Sequence, residues 1–160
     1  MSAAGLHPLL EPLAPLLGTW RGQGEGRYPT IKNFVYGEEA RFWHSGRPVM
    51  SYAQKTWALA DDTPLHSEMG YLRPQPDGTV ELVLAHSFGI VEVSSGRLER
   101  GRLTLETNTL VPTPSAKAVQ ALHRTYEVTG DELSYELAMA FAGHGLQPHL
   151  SARLRRAARA

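Results

Sequence analysis

From Gly18 onward, turn-forming residues punctuate the chain about every ten positions, and short runs rich in β-branched and aromatic side chains fill the gaps. That spacing predicts an all-β sandwich or barrel. No segment between the first seventeen residues and the C-terminal tail carries a 3.6-residue apolar period. The expected strands are 18–28, 33–45, 48–59, 65–74, 79–85, 88–95, 98–109, 119–128, 133–142 and 147–156. Turns are expected at Ser45-Gly46, Ala60-Asp61-Asp62, Pro76-Asp77-Gly78, Ser95-Gly96 and Thr129-Gly130-Asp131. Alternation of apolar and polar residues is clearest at Glu81-Leu82-Val83-Leu84 and at Arg102-Leu103-Thr104-Leu105-Glu106. Ten strands are enough to close an antiparallel barrel and so remove its edges, and a barrel of that size has room for a ligand. No linker, repeat or low-complexity stretch divides the chain, so residues 1–160 are expected to form a single domain.

Residues 7–17 depart from this pattern. Pro8, Pro12 and Pro15 interrupt a leucine-rich run and leave one or two helical turns. Leu9, Leu10, Leu13, Leu16 and Leu17 offer an apolar face that would plug one end of a barrel. The segment has neither a positively charged start nor a small-residue cleavage site, so it is expected to be a structural lead-in rather than a signal peptide.

Composition removes several classes of function. Sixteen Lys and Arg balance sixteen Asp and Glu, which argues against the basic face that nucleic acid requires. The one basic cluster, Arg153, Arg155, Arg156 and Arg159, is expected to be a solvated strand end and tail. The absence of cysteine excludes disulfides, thiolate catalysis and zinc–thiolate sites. It also fits a reducing cytosol, and a cytoplasmic location is the expectation. No run approaches the roughly 20 apolar residues needed to span a bilayer. An exposed aromatic such as Trp43 or Phe88 is a candidate contact for a homodimer.

The first strand carries an unusual face. Gly18, Gly22 and Gly24, with Gly26, share one side with Trp20. Glycines in a strand mark close backbone approach, strong coiling or a bulge. The same bare face would also leave room for a flat ligand. Gly22-x-Gly24-x-Gly26 is not a dinucleotide fingerprint, because no strand–turn–helix unit follows it. Pro29 ends the strand after Tyr28 and leaves Thr30 on a loop.

Seven histidines are present, without an HExxH or His-x-His arrangement. Neither a serine–histidine–acid set nor a Gly-x-Ser-x-Gly elbow is recognisable, so hydrolase chemistry lacks support. One histidine stands in the last strand, in Leu146-Gln147-Pro148-His149-Leu150. Barrel closure returns that strand to the first, and a neutral imidazole is a good iron ligand. Haem brings four nitrogen ligands of its own, so one axial imidazole suffices. Simple alternation sets His149 on the side of Ser151, Arg153 and Arg155, opposite Leu150, Ala152 and Leu154. Either Pro148 introduces a bulge, or the polar side faces the lumen and the lead-in covers the apolar side. The second arrangement is favoured, since a ligand-holding barrel can carry a mixed interior.

The run Gly18-x-Trp20-x-Gly22-x-Gly24-x-Gly26-x-Tyr28-Pro29-Thr30-Ile31 resembles the signature of the nitrobindins. So do Phe42-x-His44-Ser45-Gly46-Arg47-Pro48, Leu65-His66-Ser67-Glu68-x-Gly70-Tyr71-Leu72-Arg73, Glu81-Leu82-Val83-Leu84-Ala85-His86, Ser115-Ala116-Lys117, Asp131-Glu132-Leu133-Ser134-Tyr135 and Leu146-Gln147-Pro148-His149-Leu150. The likeness spans about Leu16 to Arg156. It implies an all-β, ten-stranded antiparallel barrel of lipocalin and fatty-acid-binding type. It further implies one b-type haem per chain, held in the barrel mouth with iron ligated by His149. Thr30 and Lys117 are then candidate haem contacts, and His66 a candidate pocket residue. The activity implied is haem-dependent isomerisation of peroxynitrite to nitrate at ferric iron, with nitric oxide as a further ligand; no protein acid or base is required. The alternative is a non-catalytic carrier of haem, nitric oxide or a small apolar molecule.

Overall fold

The computed structural model describes residues 5–157; Arg159, grouped above with the basic tail, lies outside them. A 3₁₀ helix, Pro8–Leu16, leads into ten strands: β1 (Gly18–Tyr28), β2 (Ile31–His44), β3 (Met50–Ala58), β4 (Pro64–Pro74), β5 (Thr79–His86), β6 (Ile90–Glu99), β7 (Arg102–Pro112), β8 (Val119–Thr129), β9 (Glu132–Phe141) and β10 (His144–Arg156). They form a closed antiparallel barrel in the order β1-β10-β9-β8-β7-β6-β5-β4-β3-β2. The seam is β1 against β10, from Trp20 opposite Arg156 to Gly26 opposite Leu150.

The first expected strand coincides with β1, and eight of the others shift by only a few residues at their ends. The sixth was expected to end at a Ser95-Gly96 turn, and it does not. β6 runs through both residues to Glu99, with Gly96 paired to Val80 on one side and Leu105 on the other. A Cβ on Gly96 would collide with the Thr104 carbonyl. This glycine therefore permits two strands to approach rather than a chain reversal. The reversal occurs at Arg100 and Gly101, both left-handed, with φ of 51° and 79°.

The lead-in forms a nine-residue 3₁₀ helix rather than one or two broken turns. Its period of three aligns Leu10, Leu13 and Leu16 on one buried face. Burying a leucine contributes roughly 1.5–3 kcal/mol, so this face is a large share of what fixes the segment. Trp20 Nε1 donates to the Leu16 carbonyl at 2.8 Å. Arg156 lies over the Trp20 ring at 4.1 Å and donates to the Pro15 carbonyl at 3.2 Å and to that of Leu17. Arg153 and Arg155 are solvated as expected, whereas Arg156 locks the plug.

The interior is layered. At the plugged end, Leu10, Leu13, Trp20, Phe42, Met50 and Leu154 are fully buried. Toward the other end the inward side chains turn polar: Glu38, Gln54, Glu68, His86, Glu92, Ser94 and Arg124 are all buried. The turns β1–β2, β3–β4, β5–β6, β7–β8 and β9–β10 rim that second end, the barrel mouth.

Candidate functional site at the barrel mouth

His149 stands on the mouth end of β10, where the ladder to β9 slips. Pro148 pairs with Ala138 and Leu150 with Leu137, which leaves His149 as the extra residue of a β-bulge. The bulge lets two successive side chains lean the same way. Ala152 and Leu154 are buried, while Ser151, Arg153 and Arg155 are exposed. The lumen is thus lined by the apolar side of β10, and the placement of its polar side in the lumen, favoured from sequence, is incorrect. Proline-associated bulging turns His149 inward instead, against the buried Tyr28. The two rings meet edge to face, with centroids 5.6 Å apart at 82°.

The Nδ1 of His149 lies 2.9 Å from the carbonyl oxygen of Arg27. A carbonyl only accepts, so Nδ1 carries the proton and Nε2 keeps its lone pair. Burial lowers the pKa of this ring; the Arg27 bond opposes that shift, and the His66 imidazole reinforces it. Tyr28 is fixed in turn: its hydroxyl accepts from the Phe141 amide at 2.8 Å and lies 3.2 Å from the Met139 and Phe141 carbonyls. His144 packs edge-on against the same ring at 5.9 Å.

The glycine face of β1 is not bare. Gly24 pairs with Tyr36 and Gly26 with Phe34. A Cβ at either position would overlap the facing ring, so aromatics from β2 occupy the space that a flat ligand was expected to use. A Cβ on Gly22 would strike the Arg153 carbonyl across the seam, and Gly18 adopts φ of 125°. With Trp20, these motif residues shape the seam and anchor the plug. Thr30 lies in the β1–β2 turn and Lys117 in the β7–β8 loop. Both are exposed, on the rim.

Across the ring from β10 stand β4 and β5. They carry His66, Glu68 and His86, with Phe88 just beyond. The three rings form a cluster with centroids 5.0–5.5 Å apart. Behind them lies a buried ion network. Arg124 donates Nη1 to Glu68 Oε1 at 2.7 Å and Nη2 to Glu68 Oε2 at 3.0 Å. It also donates Nε to Glu92 Oε1 at 3.1 Å and Nη2 to Glu92 Oε2 at 2.8 Å. Ser94 donates to Glu92 and Tyr52 to Glu68. Burial, the largest single effect, raises the pKa of both carboxyls, but Arg124 together with the histidine contacts, His66 and His86 at Glu68 and His86 at Glu92, outweighs it. Glu68 is held well below the usual range and Glu92 at about 2. Glu38, next along the wall, has no ion-pair partner among the described residues: burial pushes it up to about 8, and its Oε2, like Gln54 Oε1, is without a hydrogen bond among them.

Of the sequence-predicted site residues, the fold gathers His149, His66, Thr30 and Lys117 around one opening. Arg27, His86, Glu68, Glu92 and Arg124 were missed as site residues. A signal for three of them was present. Ile90-x-Glu92-x-Ser94, Leu122-x-Arg124-x-Tyr126 and Glu68-x-Gly70-x-Leu72 each place a charge at core parity.

A closed barrel with one plugged end, and a neutral imidazole turned into the other, is a ligand-binding β-barrel whose donor set suits a metal-centred prosthetic group. The chain belongs to the nitrobindin family: residues 9–156 match the family described as THAP4-like, heme-binding beta-barrel domain. It is 55% identical over 157 residues to peroxynitrite isomerase 2 of Mycobacterium ulcerans, covering 96% of this chain and 98% of that protein. It is 48% identical to peroxynitrite isomerase Rv2717c of Arabidopsis thaliana, covering 92% of this chain and 88% of the relative. The crystal structure of Rv2717c from Mycobacterium tuberculosis superimposes with a TM-score of 0.90 at 48% identity, over 96% of this chain and all of that one.

Proposed function

We propose that this protein binds one haem b in the barrel mouth through His149 Nε2, and that the ferric form isomerises peroxynitrite to nitrate and also binds nitric oxide. The observation that carries the reading is the His149–Arg27 bond. It fixes the tautomer, as outer partners of metal-ligating histidines do. Bound haem would supply the iron at which the peroxide bond is broken and the nitrate bond made.

The protein's own part is binding and orientation. Tyr28 sets the plane of His149 from one side. His66 would line the pocket on the wall of β4 and β5, with its Nε2 3.4 Å from Glu68 Oε2 and its Nδ1 3.4 Å from Ser87 Oγ. Lys117 and Thr30, exposed at the rim, would offer a cation and a hydroxyl to the propionates of a bound haem. As an exposed charge, Lys117 contributes little to affinity. The relatives' names as peroxynitrite isomerases support the reaction assigned here.

A homodimer and a cytoplasmic site of action belong to the same reading. Met69, Tyr71, Val91 and Val111 form an exposed apolar band across the outer faces of β4, β6 and β7, bridged by Ala85. They suit a contact between copies better than Trp43, which Arg41 covers, or Phe88, which stacks on the mouth histidines.

Titration of the purified protein with hemin, followed in the visible spectrum, tests cofactor binding. A sharp Soret band saturating at one equivalent is expected, with accelerated peroxynitrite decay to nitrate. A haem adduct that leaves peroxynitrite decay unchanged would establish the carrier alternative. Absence of the band would remove the haem assignment.

A further inference from the structure

We propose that His66 Nε2, His86 Nδ1 and Glu68 Oε2 form a binding site for one divalent transition-metal ion, on the mouth wall facing His149 and distinct from it. The three atoms lie within 4.8 Å of one another. Glu68 Oε2 is 3.4 Å from His66 Nε2 and 3.2 Å from His86 Nδ1. Ligands at about 2.1 Å from a tetrahedral ion stand about 3.4 Å apart, so little rearrangement is needed.

The second observation is an orphan. His86 is buried, and among the described residues its Nδ1 has no hydrogen-bond partner, although Glu68 Oε2 is 3.2 Å away. Its other nitrogen, Nε2, is 2.8 Å from Glu92 Oε2. A carboxylate only accepts, so the close Glu92 contact puts the proton on Nε2, although Arg124 Nη2 also lies 3.5 Å from it, and leaves the lone pair on Nδ1, the nitrogen beside Glu68. Ser87 Oγ stands beside His66 Nδ1 in the same outer role. Glu68 is itself held by Arg124, as ligating carboxylates commonly are by outer donors.

Charge permits a cation despite the guanidinium. Glu68 and Glu92 contribute two negative charges and Arg124 one positive, which leaves one negative charge before any ion enters. Two imidazoles and one carboxylate suit Zn²⁺, Fe²⁺ or Mn²⁺, and are poor ligands for Mg²⁺ or Ca²⁺. The His66 side chain is 23% exposed and gives the ion a way in from the mouth. Three protein ligands leave a coordination position open, as at catalytic rather than structural zinc sites.

The test is zinc binding to the full chain without added haem, after treatment with a chelator, by calorimetry and elemental analysis. This inference and the haem assignment therefore fail separately. One equivalent of Zn²⁺ is expected, undiminished by excess Mg²⁺. His66→Ala, at the rim, is expected to weaken binding at least tenfold while the thermal melt stays two-state. His149→Ala and His144→Ala are expected to leave it unchanged, which excludes chelation by the opposite wall. His66→Gln guards against a packing artefact and should also lose affinity. No bound zinc in the parent protein, undiminished binding in the His66 variants, or loss in His149→Ala would each overturn the proposal.

Discussion

The imidazole of His149 is held by the backbone carbonyl of Arg27, 2.9 Å away across the seam where the first and last strands close the barrel. The bond fixes which nitrogen is free. Burial keeps the ring neutral to a lower pH than the ordinary 6.5. Haem affinity is therefore expected to be constant above about pH 6.5 and to fall as acid protonates Nε2. Stability should move the same way. The unfolded ring takes its proton near 6.5 and the folded ring only lower, so folding weakens as pH drops through that interval. A Soret titration between pH 5 and 8 checks this; haem release with a midpoint above 6.5 would contradict it.

His149→Ala is expected to abolish the Soret band while the β-sheet circular dichroism is retained. The ring is half-buried and edge-on to Tyr28, so its loss should cost about 1 kcal/mol of folding stability. His66→Ala is expected to keep the haem band. A normal band in the first variant would place the axial ligand elsewhere, and loss in the second would add His66 to the essential set.

Glu38 predicts a slope of opposite sign. Its carboxyl is pushed up to about 8 in the fold from an ordinary 4.5. Between those values the folded state holds a proton that the unfolded state has released, so stability declines as pH rises from 4.5 to 8. Glu38→Gln keeps the shape and removes the titration. It should be more stable than the parent at pH 8 by roughly 2–4 kcal/mol, with little gain at pH 4.5. Urea midpoints at the two values decide the matter; equal slopes for both proteins would refute it.

Arg124→Leu should be among the most damaging single changes. It strands Glu68 and Glu92, both buried, without their shared cation. Leaving such charges unpaired costs about 3–5 kcal/mol. Adding Glu68→Gln and Glu92→Gln to the same chain should restore part of the loss. If the triple variant melts no higher than Arg124→Leu, charge is not the cause.

Gly24→Ala tests the glycine face directly. The added methyl meets the ring of Tyr36, which is buried and hydrogen-bonded to Tyr135 at 3.0 Å. Overpacking of this kind costs about 1–3 kcal/mol. A melting temperature equal to that of the parent would show that the ring moves freely.

The strand count and the family motifs were legible because both are local. Alternation within Glu81–Leu84 and turn chemistry at Pro76-Asp77-Gly78 act over a few bonds. Gly96 shows the limit. Its sequence neighbours resemble a turn, and only its contact with Thr104 on the next strand explains a glycine within β6. The direction of His149 was illegible for the same reason, since a bulge is a slip against β9 and not a property of β10 alone.

By itself, then, the sequence determined a ten-stranded barrel with a leucine plug and a histidine in its last strand. Tertiary closure decided the rest. It brought Arg27 to His149 across 122 positions and Arg124 to Glu68 across 56. Periodicity is encoded residue by residue, whereas the register that seats a side chain against its partner exists only once the strands have closed.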